Sequence, residues 1–414
     1  MPNSILIAGG GVGGLTLALS LHQAGIACRV FEAAPEIRSL GVGINLLPHA
    51  MRELTELGLL DALRAVAVET REVCFYNRYG QFIHKEPRGK FAGYDWPQLS
   101  IHRGDLHEVL LAAVRERLGG GAFVLGKKAV GFTQDADSIT LQFEDGTSAP
   151  GSAVIGCDGI HSAIRKQLHP GEGPPAYQGI NMWRGVTRGK PYLSGASMVI
   201  AGWLEAGKMV IYPIRNMVDE RGDAIQLINW VAEIQSPRNV LQDWNLAGKL
   251  DDFYPVFAGR THDWLDIDAL IRNADSILEY PMVDREPLSH WTEGRVTLLG
   301  DAAHPMYPRG SNGGGQAILD ARVLTGCLKR EHGVPNALKA YEENRMKPAY
   351  EVVLANRAIG PDAILRTVHE RTEDKPFGKI EDVISAEELV DSGENYKRIA
   401  GFEREALRNR PSLV

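Results

Sequence analysis

Ser4-Ile5-Leu6-Ile7-Ala8-Gly9-Gly10-Gly11-Val12-Gly13-Gly14-Leu15 decides the fold, and it lies at the very start of the chain. Ser4 to Ala8 is a short apolar run of buried-strand type. It empties into the pattern Gly9-x-Gly11-x-x-Gly14. Leu15, Ala18, Leu19 and His22 then fall at helical spacing, and Gly25 marks the stop. Cys28 to Phe31 reads as the next strand, closed by Glu32. A strand, a glycine turn, a helix and a second strand ending in a carboxylate make a βαβ unit. Glycines at these places let a backbone and a helix N-terminus approach a pyrophosphate, and the carboxylate suits ribose hydroxyls.

A second glycine motif lies almost 300 residues further along the chain. Arg295 to Leu299 reads as an apolar strand. It runs into Gly300-Asp301-Ala302-Ala303-His304-Pro305-Met306-Tyr307-Pro308-Arg309-Gly310-Ser311-Asn312-Gly313-Gly314-Gly315-Gln316. Ala317, Ala321, Leu324 and Leu328 then repeat at helical spacing. An aspartate can accept from hydroxyls, and a glycine-rich helix start offers free N–H groups and partial positive charge. A third stretch has the same logic: Ala153 to Ile155 ends in Gly156-Cys157-Asp158-Gly159-Ile160-His161-Ser162-Ala163-Ile164-Arg165.

The bulk numbers limit the class. The chain has 414 residues, enough for two domains and a large core. Charged residues make up 23% and hydrophobic residues 44%, ordinary for a globular protein. A net charge of −7 and the lack of a basic run argue against nucleic acid. Four cysteines, Cys28, Cys74, Cys157 and Cys327, are widely spaced and suit buried thiols in a reducing compartment. No secretory signal is visible, and no apolar run reaches the ~18 residues of a membrane span. The expectation is a cytoplasmic protein, monomer or homodimer, that binds neither nucleic acid nor membrane. His102, His107 and His161 are scattered, so no metal site is expected.

Between the motifs, Pro48 to Leu57 reads as a short helix, and a longer one follows Ser100 to Asp105, with Arg103 just before it. Arg103 can pair on the surface or reach a phosphate. Ala122 to Phe132, Ile139 to Phe143 and Ala153 to Ile155 read as a β-meander with a hairpin at Glu144 to Thr147. From about 176 to 285 the glycine motifs give way to strands rich in Trp, Tyr, Met and Val: Ile180 to Thr187, Ser197 to Leu204, Met209 to Ile214 and Ala224 to Ile234. A mostly antiparallel sheet is expected there. Asn336 to Ile359 reads as a charged helix, and Glu394 to Val414 as a polar, mobile tail.

The order of motifs resembles the FAD-dependent aromatic monooxygenases, the p-hydroxybenzoate and salicylate hydroxylase type. The residues that carry the resemblance are Gly9-x-Gly11-x-x-Gly14, Glu32, Asp158-Gly159-x-x-Ser162-x-x-Arg165 and Gly300-Asp301-Ala302-Ala303-His304-x-x-x-Pro308. Within that family the chain is most similar to phenazine monooxygenases acting on a methylated phenazine carboxylate, through Gly41 to Asn45, Ile101 to Leu106, Met182 to Thr187, Tyr280 to Arg285 and Gln316 to Asp320. The resemblance implies an α/β fold with a Rossmann-like FAD-binding domain, residues 1–175 and 280–360. It implies a substrate-binding sheet domain at 176–279 with part of 70–100, and a C-terminal helical tail at 361–414.

It implies bound FAD, with NADH or NADPH and O2 as co-substrates. The reaction expected is hydroxylation of an aromatic or N-heteroaromatic acid, with or without decarboxylation, through a flavin C4a-hydroperoxide. Gly9, Gly11, Gly14, Glu32, Gly43, Arg103, Asp158, Asp301, Gly310 and Gly313 would hold FAD. Glu32 would take the adenosine ribose, Arg103 the pyrophosphate or ribityl region, and Asp301 the ribityl chain. The Pro308–Gly313 loop would lie along the isoalloxazine edge. The family attributes FAD and nicotinamide binding to Asp158 and Arg165. Pro308, Tyr212, Arg184 and Trp183 are the pocket-lining candidates. Trp183, Trp203, Tyr212 and Trp230 read as core aromatics before ligand platforms. Arg184 can bind a substrate carboxylate or lock Trp183. His304 reads as structural. One departure stands out: many members carry Gly-Gln-Gly where this chain has Gly310-Ser311-Asn312-Gly313. An FAD-dependent reductase or oxidase of the same fold is the competing activity.

Overall fold

The computed structural model describes residues 4–37, 41–236, 246–358 and 362–414. Its centre is a parallel sheet with the order Val296–Leu298, Ala153–Gly156, Ile5–Ala8, Cys28–Phe31, Phe123–Val124. Ile5 to Ala8 are all buried, as expected for a strand covered on both faces. The helix Val12–Gln23 covers one face and packs against Arg103–Leu118 and Gly313–Arg330. The tight turn from strand into this helix requires Gly14, because a Cβ there would collide with the Gly9 carbonyl.

The expected meander is only partly formed. Ala129–Gln134, Ile139–Phe143 and Ser148–Gly151 make a three-stranded antiparallel sheet, turned at Gly146 with φ +78°. Phe123–Val124 and Ala153–Gly156 instead join the parallel sheet. The physical reason lies in Ala153 to Ile155, which are buried on both sides and have no polar face to offer a meander. Arg103 is the first residue of its helix rather than its predecessor, because His102 is the N-cap and its Nδ1 accepts from the Gly104 N–H at 3.2 Å.

A seven-stranded sheet has the order Ile277–Asp284, Ala176–Gly189, Ala224–Gln235, Lys208–Val218, Ser197–Ala201, Glu72–Tyr76, Phe82–Pro87. All its pairings are antiparallel except Ser197–Ala201 with Glu72–Tyr76. Strand alternation gives it two different faces. Trp183, Met209, Ile211 and Trp230 bury one face under Phe253, Phe257, Ile267 and Ile271. Met182, Val210, Val231 and Met282 on the other face pack with Tyr307, which belongs to the loop after Asp301.

The charged helix runs Val334–Ala358, and its expected end at Ile359 lies outside the described residues, as does the boundary at 360–361. The last segment is not a loose tail. Helices Ala386–Ile399 and Arg404–Asn409 pack on the body, with Tyr396, Ala400, Phe402 and Leu407 buried. Its polar residues face outward, while Tyr396, Ala400 and Phe402 pack against Leu47 and Val352. The Ser385–Glu388 capping box fixes where the first of these helices starts.

A buried charge network joins three helices behind the parallel sheet. Arg322 donates to Glu53 Oε2 at 3.2 Å, Glu56 Oε2 at 2.9 Å, Gln23 Oε1 at 2.6 Å and Ser20 Oγ at 3.1 Å. Glu53 is fully buried and also receives Arg410 at 2.8 Å. Removing one partner from such a set leaves charge stranded in a low dielectric. Arg322→Met is therefore expected to lower unfolding stability by about 3 kcal/mol, measured by urea denaturation. A midpoint equal to the parent's would show that the network contributes nothing.

Candidate functional site

The three motifs meet at the C-terminal ends of adjacent parallel strands, the place where open α/β sheets bind ligands. The contacts are direct. A Cβ on Gly9 would press on the Cys157–Asp158 backbone, and one on Gly13 would lie 2.8 Å from Leu299, next to the Gly300-Asp301 turn. The helix Val12–Gln23 has Gly11 as its N-cap and no side chain bonding its first N–H groups. Glu32 sits beside this turn, its Oε2 accepting from the Gly10 N–H and its Oε1 from the Ala34 N–H, both at 2.8 Å. Gly10, Gly11, Glu32, Arg103, Gly104 and His107 line a groove of about 550 Å³. Arg103 is exposed to it and has no ion-pair partner within 4 Å among the described residues.

The Gly300-Asp301 turn is fixed from behind. Asp320, fully buried on helix Gly313–Arg330, accepts from the Gly300 N–H at 3.0 Å and Arg345 Nε at 2.7 Å, and its Oδ2 lies 2.6 Å from His304 Nε2. Arg165 closes the other side, donating to the carbonyls of Ala302 and Ala303 at 2.9 Å each. It is held in turn by a bidentate pair with Glu172 at 2.5 and 2.7 Å. Thus Arg165 and His304 support the turn. Asp301 itself is exposed, recessed among protein atoms, and burial raises its carboxyl while His304 and Arg103 oppose the rise. Asp158 accepts from the Ala163 N–H at 2.8 Å through Oδ2. Its Oδ1 is buried without a partner among the described residues, and burial raises this carboxyl too.

The loop after Asp301 faces the seven-stranded sheet. Pro308 is exposed, and Gly310 and Ser311 have φ of +68° and +56°. Helix Gly313–Arg330 starts without a side-chain cap. Across from it, Gly43 is clamped by the sheet: its N–H donates to Asn229 Oδ1 at 2.6 Å, and its carbonyl accepts from Arg184 Nη2 at 2.8 Å. A Cβ on Gly43 would lie 2.6 Å from the Tyr212 ring. Burial pushes the Tyr212 phenol up, and Arg184 and Asn45 beside it act the other way. Asn45 joins Ser311 Oγ at 3.4 Å to Ser100 Oγ at 2.6 Å. Gly43, Arg184, Tyr212 and the loop therefore come together. Trp183 stands apart: alternation turns it to the opposite face, where it stacks on Phe253 at 5.1 Å.

Asn45, Asn229, Asp320 and Tyr396 were not singled out from the sequence. A buried asparagine within the apolar run Ala224 to Ile234 was a usable signal for Asn229. Nothing local marks Tyr396. No cluster of three or more His, Cys, Asp or Glu able to hold a metal occurs among the described residues, and none of their helices is long and apolar enough to cross a membrane.

Residues 3–356 match the family model described as FAD binding domain. The chain belongs to that family, and it is an FAD-dependent monooxygenase of aromatic compounds with NAD(P)H as electron donor. Among its relatives is a phenazine 1,6-dicarboxylic acid hydroxylase of Lysobacter antibioticus, 43% identical over 85% of this chain and 89% of the relative. Another is an aurachin C monooxygenase/isomerase of Stigmatella aurantiaca, 35% identical over 86% and 88%. Among solved structures, Klebsiella pneumoniae HpxO complexed with FAD and uric acid superposes with a TM-score of 0.75 at 24% identity, covering 99% of this chain and 97% of that one.

The support of the turn is acid-sensitive. Asp320 is held down to about 2; burial opposes this, and His304 and Arg345 overcome it. A carboxylate depressed below its unfolded value near 3.9 stabilises the fold above about pH 4 and loses that contribution as pH falls toward 2. Asp320→Asn should remove on the order of 2 kcal/mol of pH-dependent stability in this window, read from urea midpoints between about pH 2 and pH 6. Parallel profiles for parent and variant would assign the acid sensitivity elsewhere.

Proposed function

We propose that the chain hydroxylates an aromatic or N-heteroaromatic acid, with or without loss of a carboxyl group at the attacked carbon. The single observation that carries this is that the Gly9–Gly14, Asp158 and Asp301 turns meet at the ends of adjacent parallel strands, with two uncapped helix starts beside them and the loop after Asp301 packed on the seven-stranded sheet. The residues present fit FAD. Among the described residues, the Oδ1 of Asp158 has no partner, Arg103 has no ion pair and Asp301 is exposed, which leaves polar groups with unmet bonding capacity. Bound FAD supplies the reductive activation of O2 and the electrophilic oxygen. Glu32 would take the adenosine ribose, and Gly9, Gly11 and Gly14 would admit the pyrophosphate to the helix start. Arg103 would neutralise phosphate charge, Asp301 would accept from the ribityl hydroxyls, and Asp158 would lie alongside. Gly43, Pro308, Gly310 and Gly313 would border the ring. The helix N-terminus at Gly313 would favour negative charge on a ring held there.

On the substrate side, Arg184 is the cation and Tyr212 the phenol at the pocket, while Trp183 packs on Phe253 on the other face of the sheet. The relatives' names, a phenazine dicarboxylic acid hydroxylase and an aurachin monooxygenase, favour a fused N-heteroaromatic substrate. Met182, Val210 and Val231 keep the pocket apolar and exclude water. We place residues 1–175 and 280–360 as the FAD-binding domain, 176–279 with part of 70–100 as the substrate domain, and 361–414 as a helical extension. The four free thiols favour a cytoplasmic enzyme, monomer or homodimer.

The deciding experiment is a panel of aromatic and heteroaromatic acids, scored for stimulated NAD(P)H oxidation with matched oxygen uptake. Product from labelled O2 should gain one labelled oxygen; product gaining none would overturn the assignment. Asp301→Asn should weaken FAD binding to the apoprotein by about tenfold or more, read by fluorescence titration. Arg184→Met should raise KM for the acid about tenfold or more, with little effect on the corresponding amide. Equal effects on acid and amide would remove Arg184 from carboxylate recognition.

A further inference from the structure

The loop beside the proposed flavin ring is held from the far end of the chain. Gly310 and Ser311 both have positive φ, +68° and +56°. A serine in this region is strained where a glycine is not, so the surroundings must impose the shape. Tyr396 imposes it. Its ring fills the space at Gly310, where any Cβ would collide with the phenol. Its hydroxyl receives a hydrogen bond from Asn312 Nδ2 at 2.8 Å and donates to Asn356 Oδ1 at 2.7 Å, with the Arg309 carbonyl 3.3 Å away. Asn356 Nδ2 donates to the Tyr307 carbonyl at 3.1 Å. One phenol therefore ties residues 307, 309 and 312 together. It also engages the Asn312 amide, whose Oδ1 is left buried without a partner, and the helix that follows keeps its first N–H groups uncapped. Tyr396 lies 40 residues beyond Asn356 in sequence, outside the 3–356 family match.

We propose that Tyr396, on helix Ala386–Ile399, is a positioning residue that holds the Gly310–Ser311 backbone and the start of helix Gly313–Arg330 in the shape the flavin ring needs, and so keeps oxygen transfer coupled to NAD(P)H oxidation. This rests on the FAD site proposed above. Tyr396 acts through the loop and touches no reacting atom.

Tyr396→Phe keeps the ring and removes the hydroxyl. Its apoprotein should bind FAD about fivefold more weakly, and hydrogen peroxide released per NAD(P)H oxidised should rise by a similar factor. Adding Ser311→Gly to Tyr396→Phe relieves the strained position and should recover most of both losses. Leu407→Ala removes buried packing from the same C-terminal segment without touching the loop. It should lower the unfolding temperature and leave peroxide yield at the parent's level. Parent-like FAD affinity and peroxide yield in Tyr396→Phe would overturn the role, as would no recovery from Ser311→Gly or an equal peroxide leak in Leu407→Ala. A parent protein that takes up no FAD sinks the site assignment itself. A parent that binds FAD and couples turnover, beside an unchanged Tyr396→Phe, sinks only the role of Tyr396.

Discussion

Asp320 is the constraint on which the site depends. Its carboxylate is fully buried and meets the Gly300 N–H, His304 and Arg345 at once. A buried carboxylate without partners would be costly, so its environment must supply all three. In satisfying it, the chain fixes the Gly300-Asp301 turn against helix Gly313–Arg330 and helix Val334–Ala358. Asp301 is then free to face outward because its neighbours are fully occupied inward. Arg165 completes the frame by holding the Ala302 and Ala303 carbonyls, so the Asp158 motif supports the Asp301 motif mechanically.

Much of this was legible in the sequence because it is local. The strand Ile5–Ala8, helix Val12–Gln23 and strand Cys28–Phe31 follow from apolar runs and glycine punctuation. The strand 153–156 was legible as a strand but not as a parallel one. Pairing partners are a non-local property, and only burial on both faces distinguishes a parallel centre strand from a meander edge. Facing was the second gap. Arg184 and Trp183 are adjacent in sequence, yet one meets Gly43 and the other Phe253. Strand alternation requires them to differ, but the sequence does not say which residue faces the loop.

The C-terminal segment was the least legible part, because its composition is dominated by outward-facing charge. Tyr396, Ala400 and Phe402 are few and separated, and their effect comes from where they land. They pack near His49, a buried histidine stacked on Phe402 and pushed down to about 3 by burial and by Arg410 and Arg345. A ring kept neutral there adds no charge under the start of helix Gly313–Arg330, whose Gly315 lies against it.

The clamp on Gly43 bears on how such enzymes exchange parts. Its backbone amide and carbonyl are fixed by Asn229 and Arg184, two side chains of the seven-stranded sheet. The strand Gly43–Leu46 is therefore held at its first residue by side chains of the seven-stranded sheet. A chimera that grafts a new seven-stranded sheet onto the parallel-sheet framework retains the geometry at Gly43 only if an amide and a guanidinium arrive at those two places. Exchange of the sheet is therefore constrained by two hydrogen bonds to one backbone residue as well as by apolar packing.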